Sequence, residues 1–366
     1  MGKRLNLSGS DWLLKGYLGE DWLWRDAHKA TTRDTAGWIA ATVPGSVQQD
    51  LLRAGLIHDP YYDLNSLLVE WVPARTWLYL KAFSLPSEWK AGRVTLVFEG
   101  VDYSARFFLN GKLLGTHVGM FSPAVFDVSA DILFGAENRL AVVIDPAPPE
   151  QSQVGYTSRV RTTKSRMSYG WDFSPRLIDI GIWEHVYLEA TGPVRIADVW
   201  ARATLDRATG EGLVRLSVTL DSPTTDGDVQ AKAAISLGQE AVESGASAMD
   251  LHAGQNQSAF TFRVSEPRLW WPNGLGDQPM YAATVRVVTK TGESDSRTVP
   301  FAFRDVKLVS NVTPDSTARP YTFEVNGRKV YIKGWNWVPL DPLYGPERPE
   351  KLERLMRLAQ RGNINL

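Results

Sequence analysis

The sequence predicts a mainly β chain, on three observations. Apolar and polar residues alternate with a period of two in several runs, Asn-Gly pairs stand between such runs, and only two stretches carry helical spacing. Val94, Leu96 and Phe98 alternate with Thr95, Val97 and Glu99, and Val214, Leu216, Val218 and Leu220 with Arg215, Ser217 and Thr219. Phe260, Phe262 and Val264 do the same with Thr261 and Arg263. Successive side chains of a strand point to opposite faces, so this pattern buries one face and wets the other, as in antiparallel sandwiches.

The turns and helices come next. Asn110-Gly111, between Phe107–Leu109 and Leu113-Leu114, predicts a hairpin, because both residues tolerate positive φ. Asn326-Gly327, between Tyr321–Val325 and Val330–Ile332, predicts a second. Ser46 to Gly55 reads as a short helix with Ser46 as N-cap, Gln49 as its capping-box partner and Gly55 just past the end. Pro349 to Arg361 is the other helix. It carries Leu352, Leu355, Met356 and Ala359 on one face, with Glu350 and Glu353 early and Arg357 and Arg361 late. Ala190-Thr-Gly-Pro193 comes after an expected strand at Ile182–Leu188 and opens a new run of alternation. That alternation stops near Asp305, where a Pro-containing stretch (Asn311–Pro320) begins. The expected domains are therefore 1–190, 191–305 and 306–366.

Composition excludes several classes of function. The 366 residues carry 40 Lys+Arg against 41 Asp+Glu, and the three segments have net charges of −2, −3 and +4, so no broad field for nucleic acid or an anionic membrane is expected. The basic residues Arg159, Arg161, Lys164 and Arg166 read as a solvated loop rather than a phosphate site. With no Cys, disulfides, zinc–thiolate sites and a cysteine nucleophile are ruled out. His28, His58, His117, His185 and His252 are isolated and lack metal-ligand spacing, so neither metal nor cofactor is expected. No phosphate-binding glycine loop and no Gly-x-Ser-x-Gly elbow is present. The N-terminal Met1–Ser10 lacks the apolar core of a secretory signal, Asn6 stands where myristoylation needs Ser or Thr, and no apolar run has membrane-spanning length. The expected location is cytoplasmic.

The unusual feature is the 14 Trp, six of which lie in three polar-aromatic stretches. These are Gly170-Trp171-Asp172-Phe173-Ser174-Pro175-Arg176 with Gly181-Ile182-Trp183, Leu269-Trp270-Trp271-Pro272-Asn273-Gly274-Leu275-Gly276, and Lys333-Gly334-Trp335-Asn336-Trp337-Val338-Pro339-Leu340-Asp341. An indole stacks on the C–H face of a sugar while carboxylate, amide and guanidinium groups bond its hydroxyls. On composition alone an alternative stays open, in which the Trp pack domains together and Asp172–Arg176 is a structural ion pair.

Seven motifs in register, spanning nearly the whole chain, resemble the N-terminal module of β-mannosidases of glycoside hydrolase family 2. They are the three stretches above (with Gly181–Trp183), Val43–Leu52, Ile57–Tyr62, Phe98–Asp102 and Phe108–Gly111. The resemblance implies a jelly-roll β-sandwich of the sugar-binding type over 1–190 and an immunoglobulin-like β-sandwich over 191–305. It implies the first βα unit of a truncated (β/α)8 catalytic barrel over 306–366. Carried over residue by residue, it makes Trp171 and Asp172 sugar contacts, followed by Trp335, Asn336 and Trp337 at the end of the first barrel strand, where barrel sites lie. The Leu269–Gly276 stretch is expected to brace a domain junction. This chain departs from the family's Trp-Asp-Trp-Gly-Pro at Phe173 and Ser174, and has Glu184 where a basic residue is common.

Glycoside hydrolysis needs two carboxyl groups, which the family draws from Glu residues on later barrel strands. This chain stops at Gly362–Leu366, inside the expected second barrel strand, and no upstream pair of carboxylates stands in. The expectation is thus the non-catalytic part of a retaining exo-glycosidase for terminal β-mannose, without catalytic residues of its own and inactive alone. A non-catalytic carbohydrate-binding or scaffold protein, an exo-β-glucosaminidase and an endo-β-mannosidase are the alternatives. The uncovered helix face is expected to leave the C-terminal segment mobile, docked on the sandwiches, or paired with a second copy.

Overall fold

The structure, a computed structural model, describes residues 3–29, 36–149, 160–311, 317, 320–345 and 348–366. Met1, Gly2, Arg159 and most of the 311–320 stretch lie outside the described residues. The chain divides into two units, one of Lys3–Ala190 with Pro339–Arg348, the other of Thr191–Val338 with Pro349–Leu366.

The first unit is a β-sandwich. Its strands are β1 (Lys3–Asn6), β2 (Gly9–Tyr17), β3 (Ile39–Val43), β4 (Thr76–Ser84), β5 (Arg93–Phe98), β6 (Ser104–Leu109), β7 (Lys112–Val118), β8 (Ala124–Asp127), β9 (Glu137–Ile144) and β10 (Val186–Thr191). They form a six-stranded sheet in the order β3-β2-β4-β9-β6-β7 and a four-stranded sheet in the order β1-β10-β5-β8. Trp12, Trp77, Tyr79, Leu96, Phe98, Phe107 and Leu140 belong to its core, with Phe98 and Phe107 rings 4.7 Å apart. The indoles of Trp12 and Trp77 donate to the Leu7 and Val72 carbonyls at 2.9 and 2.8 Å, so burial leaves neither N–H unpaired. A second apolar cluster covers the other face of the larger sheet, where Tyr17, Trp22 and Ala27 pack on Leu78, Leu80, Phe108 and Val143. The short helix α1 (Asp21–Trp24) lies in this cover.

Helix α2 (Val47–Arg53) has the expected ends. Ser46 and Gln49 form the reciprocal capping box, and Gly55 (φ 69°) and Leu56 donate to the Leu52 and Leu51 carbonyls in a Schellman closure. Asn110 and Gly111, both at positive φ, turn β6 into β7. Two readings need correction. Thr95 and Val97 are as buried as Leu96 and Phe98, because β5 is an interior strand of its sheet and is covered on both faces. The strand expected at Ile182–Leu188 begins only at Val186, since Gly181 and Ile182 bond the Asp102 and Gly45 backbones and the Trp183 indole donates to the Met120 carbonyl.

The second unit opens with a regular sandwich. Strands β11 (Arg195–Leu205), β12 (Gly212–Ser222) and β15 (Gly254–Val264) form one sheet in the order β11-β12-β15. Between them in the chain come β13 (Asp226–Leu237) and β14 (Glu240–Leu251), which join β16 (Tyr281–Thr289) and β17 (Gly292–Phe301) in the order β14-β13-β16-β17. The alternation read from sequence holds on β12, where Val214, Leu216, Val218 and Leu220 are buried and Arg215 is exposed. Strands β18 (Val306–Ser310), β19 (Tyr321–Val325) and β20 (Arg328–Val330) then make a small antiparallel sheet with Asn326-Gly327 as the turn. Helix α3 (Pro349–Arg361) has the expected bounds. A mainly β fold of two sandwiches is thus what the chain adopts.

Candidate functional site

The stretch Trp171–Ser174 is a tight turn closed by reciprocal backbone bonds between its two ends, at 3.1 and 3.2 Å. Gly170 precedes it at φ 112°, a conformation that a side chain at that position would oppose. Trp171 is 38% exposed, Phe173 50%, and their rings meet edge to face at 6.3 Å. Asp172 sits at the tip, exposed, and no protein partner is recorded for it among the described residues. Arg176 bonds Glu70 at 3.0 Å and lies over the Tyr169 ring, so the Asp172–Arg176 ion pair left open by the sequence does not form. The result is an exposed indole next to an exposed carboxylate that has no partner among the described residues.

What holds this turn is buried beneath it. On the leading leg Ser168 accepts from Leu177 of the trailing leg at 2.8 Å. Four residues earlier stands Lys164, and two residues after Leu177 stands Asp179, both removed from water. The Lys164 ammonium bonds the Asp102 carboxylate and donates to the Asp179 backbone carbonyl at 2.7 Å, tying the two legs together. Burial, with the Asp102 charge adding to it, pushes the Asp179 carboxyl up to about 7. Burial also raises Asp102, against the opposing pull of Lys164. Lys164 therefore does not belong to a solvated basic loop, as its sequence neighbours suggested; the Asp102 carboxylate and the Asp179 backbone carbonyl hold it inside. The signal that could have found this cluster is a lone Asp in each of two apolar runs, Val101-Asp102 and Leu177-Ile178-Asp179-Ile180.

Residues 339–345 complete the same region. The Tyr344 amide donates to the Asp179 carboxylate at 2.9 Å, its hydroxyl meets Ser165 at 2.8 Å, and its ring packs edge to face on Trp183. Leu343 is buried in the sandwich core, and the Tyr61 hydroxyl donates to Asp341. Gly345 lies so close to Gly45 that a Cβ there would meet its nitrogen at 2.6 Å. Gly45 and Val47 in turn donate to the Ile182 and Ile180 carbonyls at 2.9 Å. Five of the stretches singled out in the sequence thus converge on one node that supports the turn.

In the second unit Trp335, Asn336 and Trp337 lie exposed on irregular chain, with the two indoles 5.5 Å apart and inclined at 51°. Their base is fixed by Asn365, whose backbone N–H donates to the Lys333 carbonyl. Its side chain accepts from the Lys333 amide and donates to the Tyr331 carbonyl. The Leu269–Gly276 stretch ties the sandwich to the β19–β20 turn and to the chain end within this unit: Trp270 accepts from Asn326, and Asn273 donates to the Ile364 carbonyl. On α3, Leu352, Met356 and Leu358 are exposed and Ala359 is buried.

Among the described residues, no group of His, Cys, Asp or Glu is arranged to hold a metal. Nor is any described helix long and apolar enough to cross a membrane. The carboxyl groups of Asp102 and Asp179 interact, but both are buried and cannot reach a glycosidic oxygen.

Comparison with known proteins gives a family for both sandwiches. Residues 22–184 match the description Glycosyl hydrolase 2 galactose-binding domain-like, and residues 194–304 match Glycosyl hydrolases family 2. Over 360 residues the chain is 27% identical to Beta-mannosidase B of Emericella nidulans, an alignment covering 94% of this chain and 42% of that protein. The crystal structure of Beta-D-Mannosidase from Dictyoglomus thermophilum is similar with a TM-score of 0.81 at 27% identity, covering 99% of this chain and 43% of that one. Amycolatopsis orientalis exo-chitosanase CsxA is similar in fold alone, with a TM-score of 0.75 at 20% identity, covering 98% of this chain and 39% of that one. The chain spans about two fifths of the length of the curated relatives it matches.

Proposed function

We propose that the chain, whose two sandwiches match the N-terminal domains of glycoside hydrolase family 2, is a member of that family and the sugar-contacting, non-catalytic part of a retaining exo-glycosidase for terminal β-mannose residues. The observation that carries the proposal is the Trp171–Ser174 turn, which offers an exposed indole beside a carboxylate that has no partner among the described residues. In this reading Trp171 stacks on the C–H face of a pyranose and Asp172 accepts hydrogen bonds from its hydroxyls. The paired indoles of Trp335 and Trp337, with the Asn336 amide, offer the same chemistry on the second unit. An apolar platform with a few aimed polar groups is the usual composition of a small-ligand site.

Residues 306–366 are read as the start of the catalytic barrel. Two features support this: Asn365 lies beside Tyr331 and Lys333 after an intervening helix, and that helix leaves Leu352, Met356 and Leu358 uncovered. The same face is where copies of the isolated chain would associate. The acid and the nucleophile of a retaining mechanism are two carboxyl groups, and this reading places them on later barrel strands, as in the family. A cytoplasmic location belongs to the same proposal. The named β-mannosidases favour mannose, and the likeness in fold to an exo-chitosanase makes β-glucosaminide the sugar to test against it.

The test uses the purified 366-residue chain with an aryl β-mannoside, and calorimetric titration with methyl β-mannoside and methyl β-glucosaminide. No turnover and tighter binding of the mannoside are expected. Turnover near the rate of intact β-mannosidases would overturn the non-catalytic reading, and tighter binding of the glucosaminide would overturn the sugar.

A further inference from the structure

The outer face of the β11-β12-β15 sheet carries one feature that neither the sandwich core nor the function above uses. Trp200 projects from β11 with 57% of its surface exposed. Its cross-strand partner is Ser217 of β12, which in turn faces Ala259 of β15. One large flat ring therefore stands at the end of a row of two small side chains. The floor so formed crosses two strand spacings, roughly 9–10 Å. No ring contact or hydrogen bond is recorded for the Trp200 side chain among the described residues.

The next row on the same face is the second observation. Arg202 of β11 is paired directly with Arg215 of β12, and both are exposed. Like charges directly opposite each other on a sheet destabilise it, with Cβ atoms only about 4.5–5.5 Å apart. Neither guanidinium has an ion-pair partner recorded among the described residues. On the same sheet Arg263 is paired with Glu211 at 2.8 Å, and across the sandwich Lys290 is paired with Asp228. Some surface cations of the sandwich are thus neutralised, while Arg202 and Arg215 stand together beside its exposed indole.

A guanidinium presents a planar fork that matches a carboxylate or phosphate, and two adjacent forks match one anionic group better than any neutral one. An indole stacks on a sugar ring. We propose that this face is a binding surface for an acidic oligosaccharide. Trp200 stacks on one pyranose, Arg202 and Arg215 hold the carboxylate or phosphate that ring carries, and the neighbouring sugar lies over Ser217 and Ala259. The inference goes beyond the function proposed above and does not depend on which sugar the Trp171 turn takes.

The test titrates the whole 366-residue chain with β-linked mannuronate oligosaccharides, with the uncharged β-linked mannan oligosaccharides, and with inorganic phosphate. Trp200→Ala and the double variant Arg202→Gln/Arg215→Gln are measured alongside. All three positions are exposed, and circular dichroism verifies that the variants fold. The mannuronate is expected to bind at least about tenfold more tightly than the mannan, and each variant to lose about that factor. Added salt should weaken binding in the parent chain and have little effect in the Arg variant. Equal affinity for both oligosaccharides, or mannuronate binding unchanged in Trp200→Ala, would overturn the proposal. So would phosphate displacing the mannuronate completely with no dependence on Trp200, which marks a simple anion site. Self-association in sedimentation that Trp200→Ala abolishes would assign the face to a second copy of the chain and overturn it as well.

Discussion

The two sandwiches solve the same packing problem with different materials. The second fills its interior mainly with aliphatic side chains and Phe, on strands such as β12 and β15 whose buried and exposed residues alternate, and its charged residues stand mostly on the outer faces. The first fills its core with Trp12, Trp77, Phe98 and Phe107, and also buries Asp50, Asp102, Lys164 and Asp179. An interior charge is costly unless it is paired, so these groups hold their place only with their partners present. The contrast teaches where the first sandwich differs: Lys164, bonded to Asp102 and to the Asp179 carbonyl, ties together the two legs of the Trp171–Ser174 turn, while Asp50 bonds Thr42 and Arg53 at helix α2.

The sharpest way to break this comparison is to remove one charge. Lys164→Met leaves Asp102 buried without its cation, and should cost about 3–5 kcal/mol of the first unit's stability. Differential scanning calorimetry should show that unit's transition falling while the second unit's stays in place. A large apolar truncation in the second sandwich is the counterpart. Leu216→Ala, at a fully buried position, should cost about 2–5 kcal/mol, with no dependence on pH across the range in which Asp179 titrates.

The third prediction concerns that titration. The Asp179 carboxyl is raised from 3.8 to about 7, so between those values the folded chain holds a proton the unfolded chain has lost. The stabilisation this gives is full below the ordinary carboxylate value and is lost as pH rises through about 7. Asp50, also raised to about 7 by burial against the pull of Arg53, acts in the same direction. The first unit should therefore lose stability as pH rises from about 4 to about 7, and Asp179→Asn should flatten part of that slope and leave the Asp50 share. A slope unchanged in the variant would mean that Asp179 does not titrate there.

The same contrast decides what could be read from the sequence. Strands such as β12 and β15 were legible because one face is wet, and period-two alternation reports that directly. Helix α2 was legible down to Ser46, Gln49 and Gly55, because capping is local chemistry. The two covered faces of β5 were not, since Thr95 and Val97 look like wet positions until the rest of the sheet lies over them. The start of β10 was misplaced because Trp183 and its neighbours answer to contacts far away in the chain. In the candidate site, the Trp171–Arg176 stretch was legible as a loop rich in sugar-binding chemistry. The cluster that fastens it was not, because Lys164 meets Asp102 across 62 positions of sequence. A basic run gives no sign that one of its members is buried.

The central claim is that the turn's exposed Asp172 and Trp171 contact sugar. Calorimetric titration of the chain with a β-linked mannobiose, alongside Asp172→Ala, tests it most directly. Asp172 is exposed and has no recorded protein partner, so the variant should fold with unchanged stability and lose about tenfold or more in affinity, the worth of a charge-assisted hydrogen bond or two. Binding equal to that of the parent chain in a variant of equal stability would contradict the account.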